Sequence, residues 1–227
     1  MQDPDATALK FEPPATAAGD SARPLVAETE LPTLDKVSVE ASTCTACGLA
    51  KARNNVVFGE GDPHSPLVLI GEGPGEQEDL TGRPFVGRAG KLLDRALMDC
   101  GLDRSDVYIC NILKCRAADW REGRAQNRAP AADEVAACNR WLDPQLRIIA
   151  PKVLLCIGGP SASHLIHKNF LITKERGKLF TCRYAEHALA TLHPAYVLRQ
   201  QGRNSDGGYS LLVEDIALAW MKANPLE

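Results

Sequence analysis

The chain has 227 residues, 44% of them hydrophobic, and a formal net charge of -3. This length allows one substantial hydrophobic core and argues against two large domains. No run approaches the roughly 20 apolar residues of a membrane span, and the first residues lack the basic and apolar regions of a secretory signal. We therefore expect an intracellular protein with no membrane partner.

The charge is distributed unevenly. Residues 1–42 contain 3 Lys/Arg and 8 Asp/Glu, whereas residues 43–227 contain 23 and 21. The larger part is therefore close to neutral, which excludes the strongly basic surface of a general DNA-coating protein. Any contact with nucleic acid has to come from a local patch.

Residues 1–30 are rich in Ala, Pro, Asp and Thr and show no apolar periodicity. Such a segment buries too little surface to offset the entropy of ordering it, so we predict a disordered tail. Residues 31–227 are predicted to form one domain.

Apolar runs of two kinds alternate along that domain. Their lengths predict strands at residues 66–70, 107–113, 153–157 and 189–192, and helices at residues 87–100, 130–149, 161–167 and 211–221. Strands that alternate with helices form a parallel sheet covered on both faces. The predicted fold is an α/β, three-layer α/β/α sandwich with a short central parallel sheet.

Three polar motifs lie where predicted strands end: a Gly-rich turn at residues 71–75, Asn111, and His193-Pro194. Ligand sites in such sheets gather at the carboxyl ends of the strands, so we expect these motifs to converge on one pocket. The Gly-rich turn alone is also typical of an ordinary strand-to-helix connection, and it lacks the spacing of a phosphate-binding loop. Residues 76–87 are predicted to be a polar loop in which Phe85 is either a core anchor or a stacking platform.

Eight cysteines in a reducing compartment are not expected to form disulfides. Cys44 and Cys47 form a CxxC pair, and Cys115 and Cys138 are candidates for two further ligands. Four thiolates suit either an iron-sulfur cluster or a tetrahedral zinc ion. The other four cysteines lie in apolar patterns and are predicted to be small core residues.

The segment from Arg116 to Arg128 contains four arginines and Trp120. It is either a solvated loop or a loop that contacts DNA phosphates.

Four separated motifs together resemble those of the family 4 uracil-DNA glycosylases, over about residues 40–222: GEGPGEQEDLTGRPFVGRAGKLLDRAL, NILKCR, QNRAP and TLHPAYVLR. The resemblance implies a uracil-DNA-glycosylase-like fold and removal of uracil from single- and double-stranded DNA. It also implies a four-iron four-sulfur cluster on Cys44, Cys47, Cys115 and Cys138, with a structural role that ties the N-terminal segment to the loop after Asn111. A monomer in the prokaryotic cytoplasm is expected.

The resemblance also implies how the base is recognised. A uracil flipped out of the helix would stack on Phe85, and the side-chain amide of Asn111 would accept from uracil N3–H and donate to O4. Gly73 would lie against the substrate, and Glu78 would close the pocket around the base. In the better-known glycosylase families an Asp stands in the place of Gly73, which leaves the identity of any general base open.

For catalysis, His193 would stabilise the negative charge that develops on uracil O2. Glu72 would orient the water or counter the cationic sugar. Contact with DNA is expected from Arg116 and Arg199 at phosphates, and from Tyr196 and Val197 as wedges in the base stack.

Three alternatives stand beside this function. A related class is trapped covalently through a histidine after the Asn strand, but residues 116–130 contain none. A binding module without activity is disfavoured because Glu72, Phe85, Asn111 and His193 are all present. Excision of other deaminated bases is left open.

Overall fold

The computed structural model describes residues 32–201 and 206–225, so the predicted tail at residues 1–30 lies outside the described residues. The strands are β1 (Glu60–Gly61), β2 (Leu67–Gly71), β3 (Tyr108–Asn111), β4 (Ala118–Arg121), β5 (Arg124–Asn127), β6 (Val153–Ile157) and β7 (His187–Thr191). The helices are α1 (Leu34–Ser42), α2 (Glu76–Thr81), α3 (Arg88–Asp99), α4 (Ala132–Ile149), α5 (Gly159–Leu165), α6 (Ile172–Glu175), α7 (Pro194–Gln200) and α8 (Tyr209–Ala223).

Five strands form the central sheet in the order β1-β3-β2-β6-β7. The short β1 is antiparallel to β3, and the other neighbours are parallel. Alternate residues of β2 face opposite sides: Leu69 packs with α3 and α8, whereas Ile70 packs with α4 and α5. Both faces of the sheet are therefore buried, and the predicted three-layer sandwich is confirmed.

The predicted strands and helices are present, with ends that differ by no more than two residues. Helix α1, which begins at the N-cap Thr33, and strand β1 were not predicted. Of the four cysteines predicted to lie in the core, Cys110 and Cys156 are fully buried, and Cys100 and Cys182 are partly buried. No described helix is both long and apolar enough to cross a membrane.

The predicted polar loop at residues 76–87 is wrong in its first half, which forms α2. Its first turn holds Glu76, Glu78 and Asp79, whose charges complement the positive end of the helix. Gly82 ends the helix with a φ of 73°. The turn after α2 then carries Phe85 back toward the sheet.

The segment at residues 116–128 is also not an irregular loop, because β4 and β5 pair in it as an antiparallel hairpin. Glu122 and Gly123 connect the strands, and both have positive φ, at 51° and 76°. A two-residue connection with this backbone matches the twist of the flanking strands.

The predicted His193-Pro194 turn continues into a helix. His193 is the N-cap of α7, and Pro194 occupies its first position, where a missing N–H costs nothing. Consequently the residues after Pro194 follow helical rather than turn geometry.

A buried polar network lies directly behind the end of β3. The ammonium group of Lys114, only 1% exposed, donates to the backbone carbonyl of Asn111 at 2.8 Å and to the side chain of Gln145. Gln145 donates in turn to the Phe58 carbonyl at 2.9 Å and to the Tyr108 hydroxyl at 3.0 Å. Since a buried ammonium needs such acceptors, the network fixes the backbone at Asn111 against α4.

Candidate active site

A cleft of about 710 Å³ opens at the carboxyl ends of β2, β3, β6 and β7. The three motifs predicted to converge there do so. The six site residues predicted for catalysis and substrate binding line it together: Glu72, Gly73, Glu78, Phe85, Asn111 and His193.

The floor of the cleft depends on Gly71, the last residue of β2. Gly71 is in register with Asn111 of β3. A Cβ at Gly71 would lie 2.4 Å from Asn111 Oδ1 and 2.5 Å from Phe85 Cζ. Only a glycine therefore lets the amide and the aromatic ring meet at this point.

Asn111 is only 1% exposed, and its Oδ1 has no hydrogen-bond partner. A buried amide oxygen without a donor costs about 1–3 kcal/mol, so such atoms are rare unless a ligand supplies the donor. The floor of the cleft thus presents an acceptor that is ready for an N–H group.

Phe85 lies beside this amide with a strained backbone, since its φ is 52°. Arg104 holds that conformation by donating to the carbonyls of Phe85 at 3.1 Å and Pro84 at 2.6 Å. Gly90 allows the same carbonyl to approach α3, because a Cβ there would lie 1.8 Å from Phe85 O. The ring is buried, so Phe85 is both a core residue and a wall of the cleft.

Glu78 secures the turn that carries Phe85. One of its carboxylate oxygens accepts from the backbone N–H groups of Val86 and Gly87, both at 2.8 Å. Glu78 thus fixes the turn that carries Phe85 as well as lining the cleft.

His193 faces Phe85 across the cleft, with 6.0 Å between the ring centroids. Its Nδ1 accepts from the Ala195 N–H at 3.1 Å, so in the neutral ring the proton is on Nε2. The pKa of His193 is lowered to about 4, chiefly by burial and also by the nearby charge of Arg199, whereas Glu78 acts in the opposite direction. At neutral pH the ring is uncharged and offers one N–H donor.

Glu72 follows Gly71 directly and is half-buried on the same wall. Burial raises the pKa of its carboxyl group, because the charged form loses hydration. A carboxylate in this position interacts strongly with a nearby positive charge, since water screens it poorly.

Further residues line the cleft that were not predicted as site residues, among them Arg88, Asn127, Arg128 and Pro160. Asn127 and Arg128 belong to the QNRAP motif, which was noted for the family resemblance without a role. Arg128 pairs with Glu134 at 2.6 Å, so it also anchors the hairpin to α4.

The four residues predicted to contact DNA differ in exposure and in whether they line the cleft. Tyr196 and Arg199 lie on the exposed side of α7, and Arg199 lines the cleft. Val197 is fully buried against Leu92, because the helical turn directs it into the core, so this placement does not fit a wedge. Arg116 is largely buried and engages Asn127, which makes it a brace under the hairpin.

Cys44, Cys47, Cys115 and Cys138 line one small apolar pocket beside α1 and α4. Cys138 Sγ accepts from the Lys114 N–H at 3.2 Å, and Cys115 Sγ accepts from Arg53 at 3.7 Å. Burial raises the pKa of the Cys115 thiol to about 11, so its thiolate needs a bound cation.

Trp141 lines the same pocket, and its buried Nε1–H has no acceptor. Among the described residues, no three His, Cys, Asp or Glu side chains converge as ligands for a single metal ion. The four thiols, with donors directed at two of them, thus surround the pocket instead of meeting at one point.

The two pockets share a wall. Leu113 lines both, and Ala117 lines the cleft while packing in the apolar cluster that contains Cys115 and Cys138. A change in the cysteine pocket therefore reaches the cleft through one layer of side chains.

Comparison with known proteins gives a consistent result. A model of the uracil DNA glycosylase superfamily matches residues 58–217. A protein from Thermotoga maritima named type-4 uracil-DNA glycosylase is 42% identical over 187 residues, which are 82% of this chain and 92% of the relative.

Two archaeal proteins with the same name are also similar. The one from Sulfurisphaera tokodaii is 42% identical over 73% of this chain and 76% of its own length. The one from Archaeoglobus fulgidus is 40% identical over 73% of this chain and 83% of its own length. The similarity thus extends across bacteria and archaea.

The environment of His193 leads to a prediction about its protonation. Its ring should titrate with a pKa of about 4 and carry its neutral-state proton on Nε2. Nitrogen-15 NMR of the imidazole measures both the pKa and the position of the proton, and the His193→Gln variant identifies which signals belong to His193. Because an unfolded histidine titrates near pH 6.5, the folded state binds fewer protons between pH 6.5 and 4, and this group lowers the free energy of unfolding as the pH falls through that range. A midpoint at 6.5 or above would contradict the prediction.

Proposed function

The chain belongs to the uracil-DNA glycosylase superfamily, and from that premise we propose how its cleft removes uracil from DNA. It is a DNA glycosylase, a hydrolase that cleaves the bond between uracil and deoxyribose in DNA repair. One observation carries the proposed mechanism: the buried and unpartnered Oδ1 of Asn111.

The Watson–Crick edge of uracil presents an N3–H donor between two carbonyl acceptors. Asn111 Oδ1 suits the N3–H, and the amide nitrogen of the same side chain suits O4. Cytosine has no hydrogen on N3 and has an amino group at position 4, so it fails at both atoms. Since the amide is buried at the floor of the cleft, the nucleotide has to be flipped out of the helix to reach it.

Phe85 provides the face on which the flipped base stacks, in a position fixed by Arg104 and Glu78. Gly73 lines the cleft beside Leu113, and we propose that it lies against the nucleotide next to the base. The base thus enters a slot whose walls are set before it arrives.

His193 and Glu72 provide the electrostatics of bond cleavage. As the bond breaks, negative charge collects on uracil O2, and the neutral His193 donates its Nε2–H to that oxygen. The sugar becomes positively charged, and the carboxylate of Glu72 stabilises it and orients the attacking water. His193 thus provides a donor for the negative charge on uracil O2, and Glu72 provides a carboxylate for the positive charge on the sugar.

The cysteine pocket fits a four-iron four-sulfur cluster held by Cys44, Cys47, Cys115 and Cys138. In such a cluster each thiolate binds a different iron, whereas a tetrahedral zinc draws four sulfurs to about 2.3 Å from one point. Thiols that surround a pocket favour the cluster, and the unpartnered Nε1–H of Trp141 is a donor available to its sulfurs. When bound, the cluster ties α1 and its following turn to α4 and to the chain after β3.

The residues assigned to base recognition and catalysis all line one cleft of a single chain, so a monomer suffices for the proposed activity. The named bacterial and archaeal relatives support action in the prokaryotic cytoplasm, where the DNA substrate is.

The direct test of the function is incubation with an oligonucleotide that contains one uracil, followed by alkaline cleavage. We expect strand scission at the uracil in single-stranded DNA and in U:G and U:A duplexes, because no residue assigned here reads an opposite base. A thymine oligonucleotide is the control. Intact uracil strands, or a protein–DNA adduct that survives denaturation, would contradict the proposal.

Asn111→Asp tests base recognition. The variant loses the donor to O4 and gains an acceptor for the amino group of cytosine, so uracil release should fall about tenfold or more. The ratio of cytosine to uracil release should rise. His193→Ala is the comparison, because it slows excision without changing that ratio. Wild-type rate and ratio in Asn111→Asp would show that another group reads the base.

Iron content tests the cluster. The purified protein should be brown and contain iron, and Cys138→Ser should lose most of that iron together with much of its soluble yield. Cys182→Ser, which changes a partly buried cysteine outside the pocket, should keep both. Zinc in place of iron in elemental analysis of the wild-type protein would overturn the assignment.

A further inference from the structure

The hairpin β4–β5 carries an exposed aromatic side chain beside the cleft. Trp120 is 76% exposed, more than any other large apolar side chain among the described residues. An indole has a large flat apolar face and one polar N–H, a combination that is enriched at binding interfaces. The mechanism above makes no use of it.

The strand register connects Trp120 to the cleft. Ala118 pairs with Asn127, and Trp120 pairs with Ala125. Residues opposite one another, and residues two apart along a strand, share a face of the hairpin. Trp120 is therefore on the same face as Asn127, which lines the cleft, and about 7 Å further along the strand from Ala118. The small side chain of Ala125 leaves the indole uncovered on its cross-strand side.

The hairpin is held firmly at its base. Arg128 bridges Asp119 at 3.1 Å and Glu134 at 2.6 Å, and the Arg128 N–H donates to the Ala117 carbonyl at 3.0 Å. Arg116 donates to Asn127 Oδ1 at 2.7 Å and to the Ala125 carbonyl at 3.2 Å. The hairpin that carries the indole is thus held in place before binding, which limits the conformational entropy that the hairpin loses when a ligand binds.

The surroundings indicate the chemistry of the partner. Arg124 on β5 is exposed close to the tip of the hairpin, and Arg88 and Arg199 are exposed on the rim of the cleft. A cleft rimmed by cationic side chains, with an exposed aromatic side chain on the hairpin that borders it, suits a single strand of nucleic acid. A duplex keeps its base faces stacked on one another, whereas a single strand exposes them.

We propose that Trp120 stacks on an unpaired base that neighbours the flipped uracil, so that the hairpin is a second contact site specific to single-stranded DNA. This inference rests on the proposed function, since the strand is positioned by its uracil in the cleft. It assigns the aromatic side chain a role in substrate preference and none in the chemical step.

The test compares Trp120→Ala, Trp120→Phe and Met221→Ala, the last a change at an exposed apolar side chain of α8 that does not line the cleft. Affinity is measured for single-stranded and U:G duplex oligonucleotides that carry 2′-fluoro-2′-deoxyuridine, which resists cleavage. Excision by the wild-type protein and by the three variants is measured in parallel on ordinary uracil oligonucleotides.

We expect Trp120→Ala to weaken single-strand binding by about five- to a hundredfold, the range for one stacked base. Duplex binding should change less than about threefold, kcat on the single strand should stay the same, and Trp120→Phe should restore most of the affinity. Wild-type binding should also quench tryptophan fluorescence to a degree that Trp120→Phe loses.

The proposal is overturned if Trp120→Ala binds the single strand as tightly as Met221→Ala does. It is also overturned if Trp120→Ala loses the same affinity for the single strand and the duplex, or if Trp120→Phe does not restore single-strand binding. If the wild-type protein excises uracil and Trp120→Ala still binds normally, only the stacking role fails. If the wild-type protein excises no uracil, the proposed function fails.

Discussion

The site depends on two parallel strands ending side by side with no side chain between them. Because Gly71 has no Cβ, the amide of Asn111 and the ring of Phe85 occupy the same small region at the end of β2. The sheet register brings the two backbones together, and the rest of the site is built around that contact. The result is a buried acceptor without a partner, for which we propose the N3–H of uracil.

A short stretch after β3 serves several purposes in succession. Asn111 provides the amide, Leu113 forms the wall shared by both pockets, Lys114 supports the Asn111 carbonyl, and Cys115 lies in the cysteine pocket. The position of the amide is therefore coupled to the buried network and to the cluster ligands within five residues. In the proposed function, a cluster on these cysteines would act on the position of Asn111 and take no part in bond cleavage.

The electrostatic design follows from burial. The same desolvation that keeps His193 neutral raises the pKa of the carboxyl group of Glu72. In the proposed mechanism, a neutral donor next to uracil O2 would not attract the negatively charged backbone of DNA, but would stabilise the charge that forms when the bond breaks. The contacts that hold Phe85 make this wall of the cleft rigid, so the site needs little rearrangement during the proposed reaction.

The layered fold could be predicted from sequence because its strands are uninterrupted apolar runs. Helix α2 could not, because its acidic sequence has little periodicity and tertiary contacts stabilise it: buried Asp79 accepts from the Asn54 side chain at 2.6 Å. The hairpin was missed because its strands are short and exposed, and its Glu122-Gly123 turn is not among the common hairpin pairs.

The site residues at strand ends were predictable because the apolar runs show where each strand ends. The bracing of Phe85 by Arg104 was not, since it joins residues far apart in the chain. Val197 was misplaced because the predicted turn is a helix with an inward face.

The central claim is that the unpartnered oxygen of Asn111 reads uracil N3–H. The most direct measurement is a crystal structure of the protein with DNA that carries 2′-fluoro-2′-deoxyuridine. The account predicts Asn111 Oδ1 within about 3.2 Å of uracil N3, its amide nitrogen at a similar distance from O4, and the base stacked on Phe85. A uracil whose Watson–Crick edge faces other groups, with Asn111 Oδ1 still unpartnered, would contradict it.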